Sequence, residues 1–156
     1  MLVLGIESSC DETAAALVED GRVVWANVVY SQIKEHRAYG GVVPEIAARR
    51  HLEVFPQVLR SAVEEGGVRW RDLDLIAVTT GPGLASSLLV GVSTAKALAL
   101  RLEKPLCAVN HLEAHLISLL LDPEVPEPEV LFPALILLVT GGNTCLVHMQ
   151  AVGRYR

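Results

Sequence analysis

The chain has 156 residues, a formal net charge of −5 and 51% hydrophobic residues, few of which are aromatic. This length suits one domain of ordinary size. The apolar content is enough for a buried core, which excludes a disordered chain, a collagen-like fibre and a disulfide scaffold. The acidic balance argues against a dedicated nucleic-acid-binding domain, which carries a basic footprint.

Three apolar runs joined by short polar turns open the sequence. They cover Leu2–Glu7, residues 14–18 and residues 22–31. Connections of this length join neighbouring antiparallel strands, so the runs predict a three-stranded meander. From Pro44 the apolar spacing changes to that of a helix, which we expect to end near Gly66.

Alternating strands and helices follow the meander. We predict strands over residues 73–79 and 105–109, and helices over Ala85–Leu102 and His111–Leu121. The order βββαβαβα requires parallel crossovers after the first three strands. The predicted class is therefore α/β with a mixed sheet.

Neither a membrane segment nor a disulfide framework is expected. The longest uncharged stretch, residues 75–95, has the length of a membrane span, but the turn at residues 81–83 divides it into a strand-sized and a helix-sized piece. No basic segment precedes the first apolar run, and Cys10, Cys107 and Cys145 are widely spaced. We therefore expect a cytoplasmic protein with reduced thiols and no signal peptide.

The last part of the chain differs in composition. Residues 122–133 are rich in proline and acidic residues and predict a linker, and residues 134–140 and 144–150 predict two strands of a second sheet. A hairpin alone is marginally stable. We therefore expect part of a longer protein, with a first lobe at 1–121, a linker at 122–133 and the start of a second lobe at 134–156.

Two histidines four residues apart give the sharpest candidate site. On a helix, His111 and His115 would share one face, where both rings can meet one metal ion. The zinc-protease motif His-Glu-x-x-His is excluded, because Leu112 follows the first histidine and Glu113 falls on the opposite face. The alternative is that one histidine caps the helix and the other packs, and no spacing nominates a third ligand.

Two turns are further candidates. Residues 140–144, Thr-Gly-Gly-Asn-Thr, suit either a phosphate-binding loop or an ordinary hairpin turn. Residues 8–13, Ser-Ser-Cys-Asp-Glu-Thr, offer hydroxyls and two acids for a phosphate and a cation, or form only a polar turn. Cys10 is a poor candidate nucleophile, since no partner base is evident.

Three more patterns have plainer interpretations. Residues 81–86 approach the dinucleotide-binding motif, but Ser86 replaces its last glycine and the turn follows the fourth strand, so we reject NAD binding. The helix Ala85–Leu102 is apolar on more than one side, which predicts burial either in the core alone, the favoured alternative, or by its own sheet and a partner. A basic segment is interpreted as a solvated face or a path for RNA phosphates, and it comprises Lys34, His36, Arg37, Arg49, Arg50 and His51.

Five motifs, taken in order, resemble one family. They are GIESSCDET at 5–13, YGGVVPEIAAR at 39–49, TGPGLASSLLVG at 80–91, NHLEAHL at 110–116 and LLVTGGNT at 137–144. Together they resemble the tRNA threonylcarbamoyladenosine-modifying transferases, formerly labelled O-sialoglycoprotein endopeptidases, of the actin-like ATPase superfamily.

The resemblance implies a fold, a reaction and partners. The family has two actin-like (ribonuclease-H-like) lobes, so this chain would supply the first lobe and the opening hairpin of the second. The family transfers a threonylcarbamoyl group from threonylcarbamoyl-adenylate to the amino group of the adenosine next to the tRNA anticodon. One divalent metal ion, iron or zinc, and an adenylate or ATP-type nucleotide are implied. The implied protein partners are an actin-like paralogue and an ATPase subunit, and the apolar helix adds a homodimer.

The resemblance also implies site residues. His111 and His115 match the metal ligands, and the third ligand, an Asp, would lie outside this chain. We expect Asp11 or Glu12 to act in catalysis, by organising the site or by accepting the amine proton. The residues that match the adenylate-binding segment are Leu138, Val139, Thr140, Gly141 and Gly142.

This sequence departs from the family pattern in one loop. The family usually has Ser-Gly-Gly-His-Thr at residues 140–144. Here Thr140 replaces the serine and keeps a hydroxyl, whereas Asn143 replaces the histidine and loses a titratable group. Cys145, the next residue, stands where the family commonly has Gln. The alternatives are a non-catalytic actin-like scaffold subunit of the same modification complex, or a sugar or acetate kinase of the same superfamily. Because half of the site would lie elsewhere, we expect this chain alone to bind metal weakly and to catalyse nothing.

Overall fold

A computed structural model describes residues 1–126, 128–140 and 144–156 of the chain. It contains two compact units, Met1–His111 and Leu112–Arg156. The predicted lobe at 1–121, linker at 122–133 and second-lobe start at 134–156 stay predictions, because compact units need not coincide with lobes.

The first unit is built on one mixed five-stranded sheet in the order β3-β2-β1-β4-β5. Strands β1, β2 and β3 pair antiparallel, whereas β1 with β4 and β4 with β5 pair parallel. The predicted meander followed by parallel crossovers is confirmed. The strands are β1 Leu2–Glu7, β2 Glu12–Glu19, β3 Val23–Ser31, β4 Leu75–Gly81 and β5 Leu106–Asn110.

Two long helices pack on this sheet. Helix α2 (Pro44–Glu65) starts with proline at its first position, as predicted, and packs on β2, β3 and α3 (Ala85–Leu102). Helix α3 packs mainly on β4. By length and hydropathy alone, α3 is the one helix in the described residues that could cross a membrane. The core between sheet and helices is mainly aliphatic, and besides the aromatic Phe55 it includes Leu4, Leu17, Ala62, Ile76 and Ala95.

Some boundaries differ from the prediction. Strand β4 starts at Leu75 rather than at residue 73, and Leu73 is fully buried outside the strand after a 3₁₀ turn at Trp70–Asp72. Because Leu73 is apolar and buried, its sequence pattern is like that of a residue in a buried strand. Helix α1 (Ile33–His36) was not predicted. Helix α4 is α-helical over His111–Ile117 and continues as a 3₁₀ turn, Ser118–Leu121.

The second unit contains a three-stranded antiparallel sheet in the order β6-β7-β8. Strands β6 (Ala134–Val139) and β7 (Thr144–Ala151) are the predicted pair, but β8 (Arg154–Tyr155) adds a third strand. The predicted hairpin of β6 and β7 is confirmed, and Gly153, with φ of 73°, turns the chain back after β7 so that β8 extends the sheet. The predicted linker also contains a short helix, α5 (Pro128–Leu131).

Close packing, rather than a nucleotide site, explains the Gly-Pro-Gly turn before α3. The Leu84 amide donates a hydrogen bond of 2.7 Å to the Ser9 carbonyl oxygen. A Cβ atom on Gly83 would lie 2.5 Å from that same oxygen, so only glycine fits. The start of α3 is therefore fixed against the turn between β1 and β2.

Candidate functional site

Polar side chains lie close together where three adjacent parallel strands of the sheet end. Strands β1, β4 and β5 lie side by side, so their carboxyl ends meet at one edge. Glu7 is the last residue of β1, Thr79 lies near the end of β4, and His111 directly follows β5. The carboxyl edge of an α/β sheet is where ligands generally bind.

The Glu7 carboxylate is held by several donors. The Thr79 hydroxyl donates to Glu7 Oε2 at 2.6 Å, and the Ser9 amide donates to Oε1. Burial raises the pKa of Glu7, but hydrogen bonds from Thr79, Ser9 and His111 outweigh burial and hold that pKa below its ordinary value. Glu7 is therefore an ionised, well-anchored carboxylate at neutral pH.

His111, the first residue of α4, contacts this carboxylate. Its Nδ1 lies 3.2 Å from Glu7 Oε2 and 3.2 Å from Ser9 Oγ, and its side chain is about one-quarter exposed. His115 is exposed and lies four residues further along the same helix. Within the described residues, no group of three His, Cys, Asp or Glu side chains is arranged to hold a metal ion. A metal bound by the two histidines would require another ligand.

The predicted acidic residues lie in and after the turn that follows β1. Burial and the neighbouring Asp11 raise the pKa of Glu12, whose Oε1 accepts a hydrogen bond of 3.3 Å from the Ser31 hydroxyl. Burial and Asp11 also raise the pKa of the Cys10 thiol to about 11. Because the thiolate is the nucleophile, this value agrees with rejecting Cys10. The catalytic roles of Asp11 and Glu12 stay predictions.

A buried histidine, His51, forms hydrogen bonds with the turn at residues 8–13. His51 Nε2 lies 3.1 Å from the Cys10 carbonyl oxygen, which can only accept, so Nε2 carries the proton. Nδ1 then accepts from the Thr13 hydroxyl at 2.6 Å and from Gln32 Nε2 at 3.4 Å. Burial lowers the pKa of His51 and so keeps the ring neutral.

The same network extends to the loop before α2. Gln32 Nε2 also donates to the Ala47 carbonyl oxygen at 3.4 Å, and Gln32 Oε1 accepts from His36 Nε2 at 3.2 Å. His36 Nδ1 then accepts from the Val43 amide at 3.3 Å. Each proton position follows from the carbonyl oxygen at one end of the network and the amide at the other.

The predicted basic surface is therefore wrong for two of its members. His36 and His51 are buried in the network and not on a solvated face. Arg50 is bound to Glu53 at 2.8 Å and to Tyr30 at 3.0 Å. The remaining members are exposed, namely Lys34, Arg37 and Arg49.

The predicted adenylate-binding segment lies only partly within the described residues. Leu138 and Val139 end β6, with Leu138 buried and Val139 exposed, and Thr140 follows them. Gly141 and Gly142 lie outside the described residues. The role of this segment stays a prediction.

The sequence motifs did not reveal the residues that hold the site residues in place. Glu7 was quoted only within the motif at 5–13, His51 was assigned only to a basic surface, and Thr79 was not singled out, because no local motif marks their roles. Strand order is the signal that finds Glu7 and Thr79, since Glu7 ends β1 and Thr79 lies near the end of the neighbouring strand β4. The turn at 8–13 was singled out, but its Ser9 contact with His111 was not foreseen.

Comparisons with known proteins identify relatives of this chain. The family model described as TsaD, tRNA N6-adenosine threonylcarbamoyltransferase, matches residues 23–156. Curated enzymes of that description from Geotalea uraniireducens (strain Rf4) and Thermomicrobium roseum are each 54% identical, over 156 and 159 residues. These matches cover 100% and 99% of this chain but 44% and 43% of the relatives. The chain therefore spans less than half the length of the curated relatives it matches.

Solved structures share the fold. YeaZ from Pseudomonas aeruginosa aligns with a TM-score of 0.51 at 21% identity, over 70% of this chain and 45% of YeaZ. A second Pseudomonas aeruginosa protein, described as uncharacterized with similarity to peptidase YEAZ, aligns with a TM-score of 0.50 at 25% identity, over 70% of this chain and 43% of its own. The predicted α/β class, with an actin-like (ribonuclease-H-like) lobe built on a mixed sheet, is confirmed.

Proposed function

Because this chain belongs to the tRNA N6-adenosine threonylcarbamoyltransferase family, we propose that it is the first lobe of an enzyme that modifies the adenosine next to the tRNA anticodon. The donor is threonylcarbamoyl-adenylate and the acceptor is the N6 amino group. The observation that carries this proposal is 54% identity over the whole chain to an enzyme of that description. The cytoplasm, where tRNA is processed, is the proposed location.

The proposed reaction is an acyl transfer with defined proton and electron movements. The amino nitrogen forms a bond to the carbamoyl carbon, and the bond from that carbon to the phosphate oxygen of the adenylate breaks. The electron pair leaves with AMP, and the amine proton passes to a base. Glu12 is the favoured base, since its raised pKa brings it nearer to neutral pH. Asp11 would organise the same turn.

A divalent metal ion, iron or zinc, is proposed at His111 and His115. Two imidazoles one helical turn apart, one of them bonded through Nδ1 to a carboxylate, are a donor set that suits such an ion. When bound, the ion would supply Lewis-acid stabilisation of negative charge on substrate oxygens. The substrates would be bound and oriented by Asp11, by Glu12 and by the backbone of residues 138–142.

The adenylate is proposed to bind the segment after β6. Glycine allows backbone amides to approach phosphate oxygens, and Thr140 adds a hydroxyl donor. Amides directed at the leaving phosphate would stabilise the charge that departs with AMP. The residues assigned to this role are Leu138, Val139, Thr140, Gly141 and Gly142.

The proposed partners are an actin-like paralogue, an ATPase subunit and, as an alternative, a second copy of this chain. Helices α2 and α3 supply the surface, because Leu52, Leu89 and Leu100 are exposed by 62%, 66% and 83%. Large exposed apolar patches mark contact surfaces. Light scattering at high concentration tests the homodimer, which a monomeric result contradicts.

Transfer of labelled threonine to tRNA tests the proposed function. The whole enzyme should modify tRNA when given threonylcarbamoyl-adenylate, and the Asp11→Ala and Glu12→Gln variants should lose activity. Full activity of both variants would contradict their proposed roles. A scaffold subunit, the alternative function, should instead hold no stoichiometric metal that His111→Ala removes.

A further inference from the structure

The His111 ring is held by groups that differ in hydrogen-bonding character. Its Nδ1 is equally distant, at 3.2 Å, from Glu7 Oε2 and from Ser9 Oγ. A hydroxyl can donate or accept, but an ionised carboxylate can only accept. The carboxylate therefore favours a proton on Nδ1 of the ring.

A proton on Nδ1 is the arrangement that makes both contacts favourable. If Nδ1 carried no proton, its lone pair would face the negatively charged Glu7 oxygen, and the two would repel each other. With a proton there, Nδ1 donates to Glu7 and Ser9 also accepts. In a neutral ring the other nitrogen, Nε2, then carries the lone pair that metal ions bind.

We propose that Glu7 is a positioning residue that fixes His111 in the Nδ1–H tautomer and so places the ring's lone pair on Nε2, the nitrogen that would bind a metal ion. The inference deepens the proposed function, on which its metal-binding part rests. Carboxylates that orient metal-binding histidines in this way commonly contribute about 10–100-fold to metal affinity.

The position of Glu7 is built into the sheet. In the parallel pairing of β1 with β4, Ile6 lies opposite Val78, so Glu7 and Thr79 follow side by side. Their hydrogen bond of 2.6 Å and the bond from the Ser9 amide fix the carboxylate before any ligand arrives. A ligand residue supported by ordered strands is already oriented for binding.

Long-range proton–nitrogen NMR of the ¹⁵N-labelled, metal-free chain tests the tautomer. In the wild type, His111 Nδ1 should have the shift of a protonated nitrogen and Nε2 that of an unprotonated one. Glu7→Ala should move His111 toward the opposite tautomer, and Glu7→Gln should do so in part. Glu64→Ala and Glu64→Gln, which change an exposed carboxylate on α2, should leave His111 unchanged.

A second pair of variants separates positioning from folding. Thr79→Val removes the hydroxyl that anchors Glu7 at nearly constant shape, and it should shift the tautomer populations, whereas Thr79→Ser should restore them. A wild-type His111 protonated on Nε2, or one that Glu7→Ala leaves unchanged, would overturn the proposal.

Zinc titration of the same samples tests the consequence for binding. We expect Glu7→Ala to weaken zinc binding about 10–100-fold relative to wild type, with Glu64→Ala as the control. Unchanged affinity in Glu7→Ala would overturn the role of Glu7 in metal binding. If wild-type affinity is the same in His111→Ala, the proposed metal site fails, while the tautomer result still decides the role of Glu7 in orienting the ring.

Discussion

At the scale of single residues, a fully buried histidine joins the turn after β1 to the long helix α2. His51 bonds the carbonyl oxygen of Cys10 on one side and Thr13 and Gln32 on the other. Thr13 and Gln32 are fully buried, so no water can replace the histidine as their partner. The turn that carries Asp11 therefore depends on a residue 40 positions away in sequence.

Replacing His51 tests that dependence. His51→Phe keeps a ring of similar size but leaves the buried Thr13 hydroxyl without this partner, so we expect a loss of about 1–3 kcal/mol. Urea unfolding measures the change. His148→Phe, at an exposed position, should change the free energy of unfolding by less than about 0.5 kcal/mol. Equal effects of the two substitutions would contradict the importance of the network.

The same residue predicts a pH dependence. Burial keeps the pKa of His51 below its ordinary value of about 6.5, although Glu7 and Asp11 act in the opposite direction. Between the folded and unfolded pKa values, the unfolded chain binds more protons, so stability falls as the pH is lowered through about 6.5. The contribution of His51 is fully present above that pH.

Unfolding midpoints at a series of pH values check this sign. Between pH 7 and pH 5.5, the wild type should lose more stability than His51→Phe, which lacks the titrating group. Glu12 has a raised pKa, which makes stability change with pH in the opposite direction. Because Glu12 is present in both proteins, its contribution cancels when the wild type is compared with His51→Phe. Parallel curves for the two proteins would contradict the prediction.

At the scale of elements, the contact between the start of α3 and the turn after β1 sets the site geometry. Gly83→Ala should destabilise the chain by about 1–3 kcal/mol, because the new methyl group would press on the Ser9 main chain. Gly41→Ala is the matched control, since its Cβ would meet nothing within 4 Å. Thermal unfolding measures both, and equal stability of the two variants would contradict the role of Gly83.

Elements were predictable where periodicity and turn residues agree. The helix from Pro44 and the helix Ala85–Leu102 were confirmed because each combines a start signal with a long apolar pattern. The two-residue strand Arg154–Tyr155 and the four-residue helix Ile33–His36 were not predictable, because pairing and packing rather than local pattern create them. The same reason hid Glu7 and Thr79, which gain a role only through strand order.

At the scale of the whole molecule, metal removal should abolish the reaction. We expect the whole enzyme to lose threonylcarbamoyl transfer after chelation and to regain it with iron or zinc, because the proposed ion would stabilise charge on the transferred group. His115→Ala should need a higher metal concentration for the same recovery. Full activity of the chelated enzyme, with metal content checked by elemental analysis, would contradict the proposed metal.

The bonds around Glu7 also have a consequence for the order of folding. Glu7 meets Thr79 across 72 residues and His111 across 104. Closing loops of that length carries an entropy cost that short-range contacts avoid, so we expect these bonds to form late. During synthesis, the β1 carboxylate must wait until the chain beyond β5 has emerged from the ribosome. On the proposed role of Glu7, we therefore expect His111 to be oriented only once the five-stranded sheet is complete.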